Sequence, residues 1–220
     1  MNFSIAEENY IKSIYHLQQQ QETVSTNAVA EALNTKPASV TDMLKRLQVK
    51  NILQYQRYKG FRLNTTGNKI ALGIIRKHRL WEYFLVTQLG FEWDKVHDIA
   101  EELEHVSSHE LIKRLDAFLQ YPTTDPHGDP IPDGNGKIPV IHQQSITDIP
   151  VKQTVTVSSV GNQSAQMLDI LKHHRIGIGS KIRINKHFSF DESIEIKVDK
   201  QPLCTISKQV AKNIFVYGNC

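Results

Sequence analysis

The sequence predicts a mainly α-helical N-terminal part, built as a winged helix-turn-helix and a further helical segment, followed by a small C-terminal β-barrel. Three observations predict this fold class. Apolar residues recur at helical spacing as far as Leu119. Five of the eight prolines fall between Pro122 and Pro139, which indicates a linker or a surface loop. Beyond that loop the apolar runs are short and strand-like.

The first helices have recognisable start signals. Ser4 and Glu7 are spaced as a capping box, which predicts a helix from about Ile5 to Gln20. Ser25 or Thr26 is expected to cap a short second helix that ends near Asn34. A third helix opens at Thr35-Lys36-Pro37 and turns Val40, Met43, Leu44 and Leu47 inward. Two short helices joined by a tight turn, the second with a polar and basic outer face, are typical of a helix-turn-helix.

In residues 52–63, apolar and polar residues alternate imperfectly, and Lys59-Gly60 is a turn sequence. This pattern predicts a β-hairpin. A hairpin after a helix-turn-helix indicates a winged helix, although any small helical domain remains the alternative. Residues 35–62 contain seven basic residues and one acidic residue. This local basic patch supports DNA binding. The predicted contacts to bases or phosphates are Lys36, Pro37, Ala38, Ser39, Thr41, Asp42 and Lys45 on the third helix, and Arg57 and Lys59 on the wing.

The middle of the chain carries metal-ligand residue types at helical spacing. A long helix from Thr65 or Thr66 to Leu89 has too many large apolar residues for a single buried stripe, which predicts a contact with a second subunit. Written as one helix, the segment from Asp94 to Val106 places four imidazoles and carboxylates on one face. A second capping box, Ser107–Glu110, is expected to open another helix, which ends before Pro122. The candidate ligands are His97, Glu101, Glu104 and His105, with His78 and Glu82 one turn apart in the preceding helix.

Imidazole and carboxylate ligands without thiolate suit divalent first-row metals. The alternative is that these side chains form only the solvated face of a helix, which would leave a winged-helix regulator without metal control. A di-iron carboxylate enzyme is a further alternative, because Glu102-Leu-Glu-His105 fits its Glu-x-x-His motif. Such a core needs two copies of the motif, and we find one. Nucleophilic catalysis has little support, because no Gly-x-Ser-x-Gly or glycine-rich phosphate loop is present. We expect a protein that is not an enzyme and has no small-molecule substrate.

The C-terminal part is expected to contain five strands and one helix, over residues 164–173. The expected strands are Thr154 to Val157, Lys181 to Ile184, Ile194 to Val198, Leu203 to Ile206 and Ile214 to Tyr217. The two cysteines, Cys204 and Cys220, fit a reducing compartment. Neither a signal peptide nor a membrane span is expected, so we expect a cytoplasmic protein.

With these residues laid out, the chain resembles the diphtheria toxin repressor family of iron- and manganese-dependent transcription regulators. The resemblance rests on EENYIKSIYHL, VAEALNTKPASVTDMLKRL, YKGFRLNTTG, RKHRLWEYFL and KVHDIAEELEH. It implies a winged helix in residues 1–65, a metal-binding and dimerisation domain in 66–121, a proline-rich linker in 122–146 and an SH3-like barrel in 147–220.

The resemblance also implies two metal ions per subunit. One would be held by His78, Glu82 and His97, and the other by Glu101, Glu104 and His105 with Asn9 from the first helix. Glu101 stands where iron-type members have cysteine, which favours a hard ion, so Mn(II) or Fe(II) is expected. Asn9 and Lys12 depart from the family pattern, and Gln163 is the nearest candidate ligand in the C-terminal domain. A homodimer with two reading heads predicts a near-palindromic operator.

Overall fold

The computed structural model describes residues 3–56, 60–106 and 108–218, and the chain divides into two compact units. The first unit comprises Met1–Trp81, Ala100–Gln120 and Ile131–Ile138. The second unit comprises Glu82–Ile99, Tyr121–Pro130 and Pro139–Cys220. Among the described helices, none combines the length and the apolar composition needed to cross a membrane.

The described part of the chain contains helices in its N-terminal half and mostly strands in its C-terminal half, as predicted. Short 3₁₀ helices cover Trp93–Lys95 and Ile146–Asp148. The helices are α1 (Ile5–Gln18), α2 (Thr26–Ala32), α3 (Pro37–Val49), α4 (Thr65–Thr87), α5 (His97–Leu103), α6 (His109–Phe118), α7 (Ala165–His173) and α8 (Lys208–Ala211). The strands are β1 (Leu53–Gln56), β2 (Gly60–Leu63), β3 (Gln143–Ser145), β4 (Thr154–Val160), β5 (Lys181–His187), β6 (Ile194–Val198), β7 (Leu203–Ile206) and β8 (Ile214–Tyr217).

The capping box at the start of α1 is present. The hydroxyl of Ser4 accepts the backbone N–H of Glu7, and the Glu7 carboxylate accepts the N–H of Ser4 at 2.8 Å. That carboxylate also accepts a hydrogen bond from Nζ of Lys50, the C-cap of α3, at 2.8 Å. The same side chain therefore starts one helix and ties it to the end of another.

The winged helix surrounds one apolar core. Ser25 caps α2, and Pro37 occupies the first turn of α3, where its missing N–H costs nothing. The hairpin β1–β2 is bound to the segment before α2, since Val24 and Phe61 exchange backbone hydrogen bonds of 2.8 and 2.9 Å. A Cβ at Gly60 would lie 2.4 Å from the Val24 carbonyl oxygen, so this approach requires glycine. The predicted turn at Lys59 lies outside the described residues.

The ligand-bearing segment is shorter as a helix than predicted. The prediction of one helix from Asp94 to Val106 was wrong, because a 3₁₀ turn precedes α5 and α5 ends at Leu103. Glu104 and His105 therefore lie in the turn after the helix. The hydroxyl of Ser108 accepts the N–H of Leu111 as the cap of α6, so the chain has to leave helical conformation before that residue. The capping box predicted at Ser107–Glu110 was wrong by one residue, because the cap of α6 is Ser108. Ser107 itself lies outside the described residues.

The second unit contains a six-stranded antiparallel sheet with the strand order β3-β8-β4-β5-β6-β7. Along β5, Ile182 and Ile184 are fully buried while Lys181 and Arg183 are exposed, which is the expected alternation. The apolar faces of the sheet, α7 and α8 enclose one core. The prediction of a small C-terminal β-domain is confirmed. Strand β3, with three residues, and helix α8, with four, were not predicted.

Candidate metal centres and DNA-binding surface

In the first unit, carboxylates that follow or end α5 meet a lysine from α1. Nζ of Lys12 lies 2.6 Å from Oε1 of Glu101, and 2.7 and 2.8 Å from the two carboxylate oxygens of Glu104. The side chain of Lys12 is 13% exposed and that of Glu104 is fully buried. Two of the predicted ligands are therefore together, and a cation already lies between them.

The buried carboxylate of Glu104 has a second partner on α4. Nδ1 of His78 lies 2.7 Å from Oε2 of Glu104. Burial by itself raises the pKa of Glu104, but the hydrogen bond with His78 and the charge of Lys12 outweigh it, and the pKa falls below its ordinary value. Glu104 is therefore a carboxylate held ionised inside the protein, which is the state that a metal ligand requires.

His105 is held against α1 by an acidic residue. Nδ1 of His105 lies 2.6 Å from Oε2 of Glu8, and Nε2 lies 3.8 Å from Oε1 of Glu104. Asn9, next along α1, has a buried Oδ1 that accepts no hydrogen bond within the described part of the chain. A buried carbonyl oxygen without a donor is costly, so a cation ligated by Asn9 would satisfy it. The first unit thus places Glu101 and Glu104 around Lys12, and places His78 and His105 near Glu104. Asn9 lies beside Glu8 on α1 and lines the same cavity as Glu101.

The second unit contains a separate cluster of buried ligand-type residues. Carboxylate oxygens of Glu82 and Asp125 and a ring nitrogen of His127 all lie within 4.8 Å of one another. The three side chains belong to residues that are 1%, 5% and 1% exposed. Two carboxylates and one imidazole in this arrangement could hold a hard divalent ion. His97, which is half-exposed, lies at the rim, with Nδ1 3.5 Å from Oε1 of Glu82.

The orientation of His127 leaves one ring nitrogen for a ligand. Nε2 lies 3.0 Å from the Trp93 carbonyl oxygen, which can only accept, so Nε2 carries the proton. Nδ1 is buried and lies 3.8 Å from Oε2 of Glu82, beyond hydrogen-bond distance. Burial lowers the pKa of His127, but the carboxylates of Glu82 and Asp125 outweigh it and raise the pKa overall. The indole of Trp93 stacks on the imidazole, with ring centroids 5.5 Å apart.

The loop that carries Asp125 and His127 is organised by Asp125 itself. Its Oδ1 accepts the backbone N–H groups of His127 at 2.8 Å and of Asp129 at 2.9 Å. This Asx turn fixes the position of the Asp125 carboxylate beside Glu82 and His127. Sequence reasoning missed both residues, because the prolines around them indicated a linker. The signal that could have found them is Asp-Pro-His-Gly, an acid and an imidazole in one tight turn. Gln163, the candidate from the C-terminal domain, donates to Asp129 at 3.1 Å.

The predicted DNA-reading residues of α3 and its cap are exposed. The hydroxyl of Thr41 donates to the Pro37 carbonyl oxygen, and Nζ of Lys45 lies 3.5 Å from Asp42. Val40, Leu44 and Leu47 face the core on the opposite side of the helix. The exposed residues are Lys36, Pro37, Ala38, Ser39, Thr41, Asp42 and Lys45. Arg57 and Lys59 of the wing lie outside the described residues.

Sequence profiles of known families match three consecutive stretches of the chain. Residues 2–61 match the iron dependent repressor N-terminal DNA binding domain. Residues 64–133 match the iron dependent repressor metal binding and dimerisation domain. Residues 144–217 match the FeoA domain. The three matches follow the same order as the helical part, the ligand-bearing part and the β-domain.

Individual relatives agree with these profiles. The iron-dependent repressor IdeR of Mycobacterium leprae is 35% identical over 125 residues, which cover 57% of this chain and 54% of that protein. The chain thus matches about half the length of that relative. The HTH-type transcriptional regulator MntR of Oceanobacillus iheyensis is 35% identical over 114 residues, which cover 52% of this chain and 77% of that protein.

Solved structures are similar over nearly the whole chain. A manganese-dependent transcriptional repressor in complex with manganese superposes with a TM-score of 0.84 at 31% identity and covers 97% of this chain and 100% of its own. ScaR with bound Cd²⁺ superposes with a TM-score of 0.79 at 29% identity and covers 96% of this chain and 98% of its own.

Proposed function

The chain belongs to the diphtheria toxin repressor family of metal-dependent transcription regulators, and from this premise we propose that it binds DNA under the control of divalent metal ions. The observation that carries the proposal is the position of Glu101, Glu104 and His105 against α1, the first helix of the DNA-binding part. The family consists of DNA-binding repressors and not of enzymes, so the di-iron enzyme has no support.

Two metal centres per subunit are part of this proposal. Glu101, Glu104 and His105, with the unsatisfied carbonyl oxygen of Asn9, fit one hard divalent ion in their donor chemistry. Glu82, Asp125 and His127 fit a second, and Nδ1 of His127 is already turned away from its backbone partner. His97 and His78 complete the proposed ligand set. All donors are oxygen or imidazole nitrogen, which supports Mn(II) or Fe(II).

The ligands of the first centre connect α1 to the turn after α5. Asn9 would hold the metal from α1, while Glu104 and His105 would hold it from the turn, so ligation fixes the position of α1 within the first unit. A bound ion would add positive charge beside these carboxylates, which Lys12 already contacts. It shifts the protein toward the DNA-binding conformation only by its differential affinity, typically about 1 to 3 kcal/mol. Metal is therefore expected to raise the affinity for DNA.

The DNA target follows from the winged helix and from dimer formation. The exposed face of α3 would enter the major groove, and the basic wing would contact phosphates. A homodimer carries two such heads, so we propose a near-palindromic operator whose half-sites lie about one helical turn or a multiple apart. The proposal keeps the domain ranges 1–65, 66–121, 122–146 and 147–220, which the profile matches at 2–61, 64–133 and 144–217 support.

The test is a selection of DNA duplexes from a random-sequence library by the full chain, run with MnCl₂, with anaerobic FeSO₄ and with a chelator. We expect enrichment of a two-fold symmetric sequence in the presence of metal and little enrichment with the chelator. Equal enrichment in all three conditions would leave a DNA-binding protein without metal control. Retention of no duplex in any condition would refute the proposed function.

A further inference from the structure

In the first unit, the ammonium group of Lys12 lies among carboxylate oxygens in the position that a bound ion would take. An ammonium group has three N–H donors and no acceptor. Three carboxylate oxygens lie 2.6, 2.7 and 2.8 Å from Nζ, namely Oε1 of Glu101 and both oxygens of Glu104. Every donor of the lysine can therefore be satisfied by a carboxylate that is also a proposed metal ligand.

A metal ion at this cluster would need the same oxygens. Carboxylate oxygens bind divalent ions at about 2.0–2.6 Å, so an ion held by Glu101 and Glu104 would occupy the point where Nζ now lies. Two cations cannot share that point, because their repulsion adds to the steric overlap. Either the ammonium group or the metal can be there.

From this geometry we propose that Lys12 is a tethered cation that competes with the divalent metal for Glu101 and Glu104 and so determines the metal affinity of this centre. The inference rests on the proposed function and deepens it. It gives the fully buried carboxylate of Glu104 a positively charged partner when no metal is bound. Metal binding then requires the lysine to withdraw. Only the difference between the binding free energies of the metal and of the ammonium group at these carboxylates remains to drive the change in DNA affinity.

The lysine has space into which it can move. A cavity of about 390 Å³ in the first unit is lined by Lys12 and Glu101 and by Asn9, His16, Leu33 and Gln20. The flexible four-carbon stem of a lysine can rotate into such a space without movement of the helix that carries it. Withdrawal would also open the approach to Asn9, whose carbonyl oxygen lacks a donor within the described residues.

The test measures Mn(II) binding by isothermal titration calorimetry in full-length chains with the substitution His127→Ala, so that the first centre is observed alone. Lys12→Met removes the charge and keeps the apolar stem. We expect Mn(II) to bind at least about tenfold more tightly to this variant, in the range of typical coupling between sites. Lys50→Met is the matched control, because it removes a lysine that pairs at 2.7 Å with Glu7, another residue of α1. Its Mn(II) affinity is expected to equal that of the parent.

The outcomes separate the two hypotheses. Tighter binding in Lys12→Met alone, or binding that occurs only in that variant, supports the inference. Equal or weaker binding, with the parent circular dichroism spectrum retained, overturns the inference and leaves the proposed function intact. If neither the parent nor Lys12→Met binds Mn(II), the inference and the proposed metal site both fail at this centre. Should Lys12→Met not fold, Lys12→Gln keeps an amide donor for Glu104 and carries the same expectation.

Discussion

Nδ1 of His105 lies 2.6 Å from Oε2 of Glu8, which joins the turn after α5 to α1. If the imidazole also ligates metal, His105→Ala removes a ligand and the contact with α1 together. We expect this variant to lose the increase in DNA affinity that MnCl₂ produces in the parent, while its circular dichroism spectrum stays native. A gel-shift titration with MnCl₂ measures this. The matched control is His142→Ala, because that imidazole is exposed. A parental response in His105→Ala would exclude His105 as a ligand.

The second centre gives a prediction about stoichiometry. His127→Ala removes the buried imidazole between Glu82 and the Trp93 carbonyl. Because the remaining carboxylates have lost their nitrogen ligand, we expect the chain to bind one Mn(II) fewer per subunit. Metal analysis after equilibrium dialysis counts the ions. His173→Ala, at an exposed position near the end of α7, should retain the parental count, and an unchanged count in His127→Ala would mean that the cluster holds no metal.

The Glu7–Lys50 pair predicts a pH dependence of stability. Burial raises the pKa of Glu7, but hydrogen bonds from Lys50 and Ser4 outweigh it and hold the pKa below the ordinary 4.5. The ionised carboxylate therefore stabilises the fold above that ordinary value, and this contribution is lost as pH falls through the folded-state pKa. Glu7→Gln should lower the free energy of unfolding at neutral pH by a few tenths to about 1 kcal/mol. Thermal unfolding monitored from pH 7 downward should show the stabilities of the parent and of Glu7→Gln converging below about pH 4.5.

A DNA contact by α3 predicts a change in salt dependence. Lys45 is exposed on the helix face opposite the core, where a phosphate contact would release one counterion. Lys45→Ala should therefore weaken binding to operator and to random DNA alike, and should reduce the slope of log affinity against log salt by about 0.9. Fluorescence anisotropy at several salt concentrations measures the slope. Lys113→Ala, an exposed lysine on α6, should leave it unchanged. A parental slope in Lys45→Ala would show that Lys45 makes no phosphate contact.

Much of the fold followed from local signals. The capping box at Ser4 and the proline at the start of α3 mark helix starts that need no tertiary information, and both were predicted correctly. The family was predicted from the resemblance of five sequence stretches to its members, and the comparisons confirm it. The end of α5 at Leu103 was missed, because the helical spacing of His97, Glu101, Glu104 and His105 continues past it.

The candidate sites were less accessible to sequence reasoning than the helices. Helical spacing brought out Glu101, since periodicity within one segment can be read directly from the chain. Asp125 is 43 residues from Glu82, and their approach depends on the fold of the proline-rich segment. The contact of Lys12 with Glu101 and Glu104 spans 89 and 92 residues and could not be derived from spacing. Pairs of charged residues so far apart in the sequence can be recognised only in the folded structure.

The stacking of Trp93 on His127 gives the second centre an optical indicator of its own. Indole emission responds to the charge state of an imidazole stacked on it, and Mn(II) held by that imidazole would quench it. The other tryptophan, Trp81, belongs to the first unit, so a Trp81→Phe chain would emit from Trp93 alone. Occupancy of one centre could then be followed in real time, in the presence of DNA and without an added label.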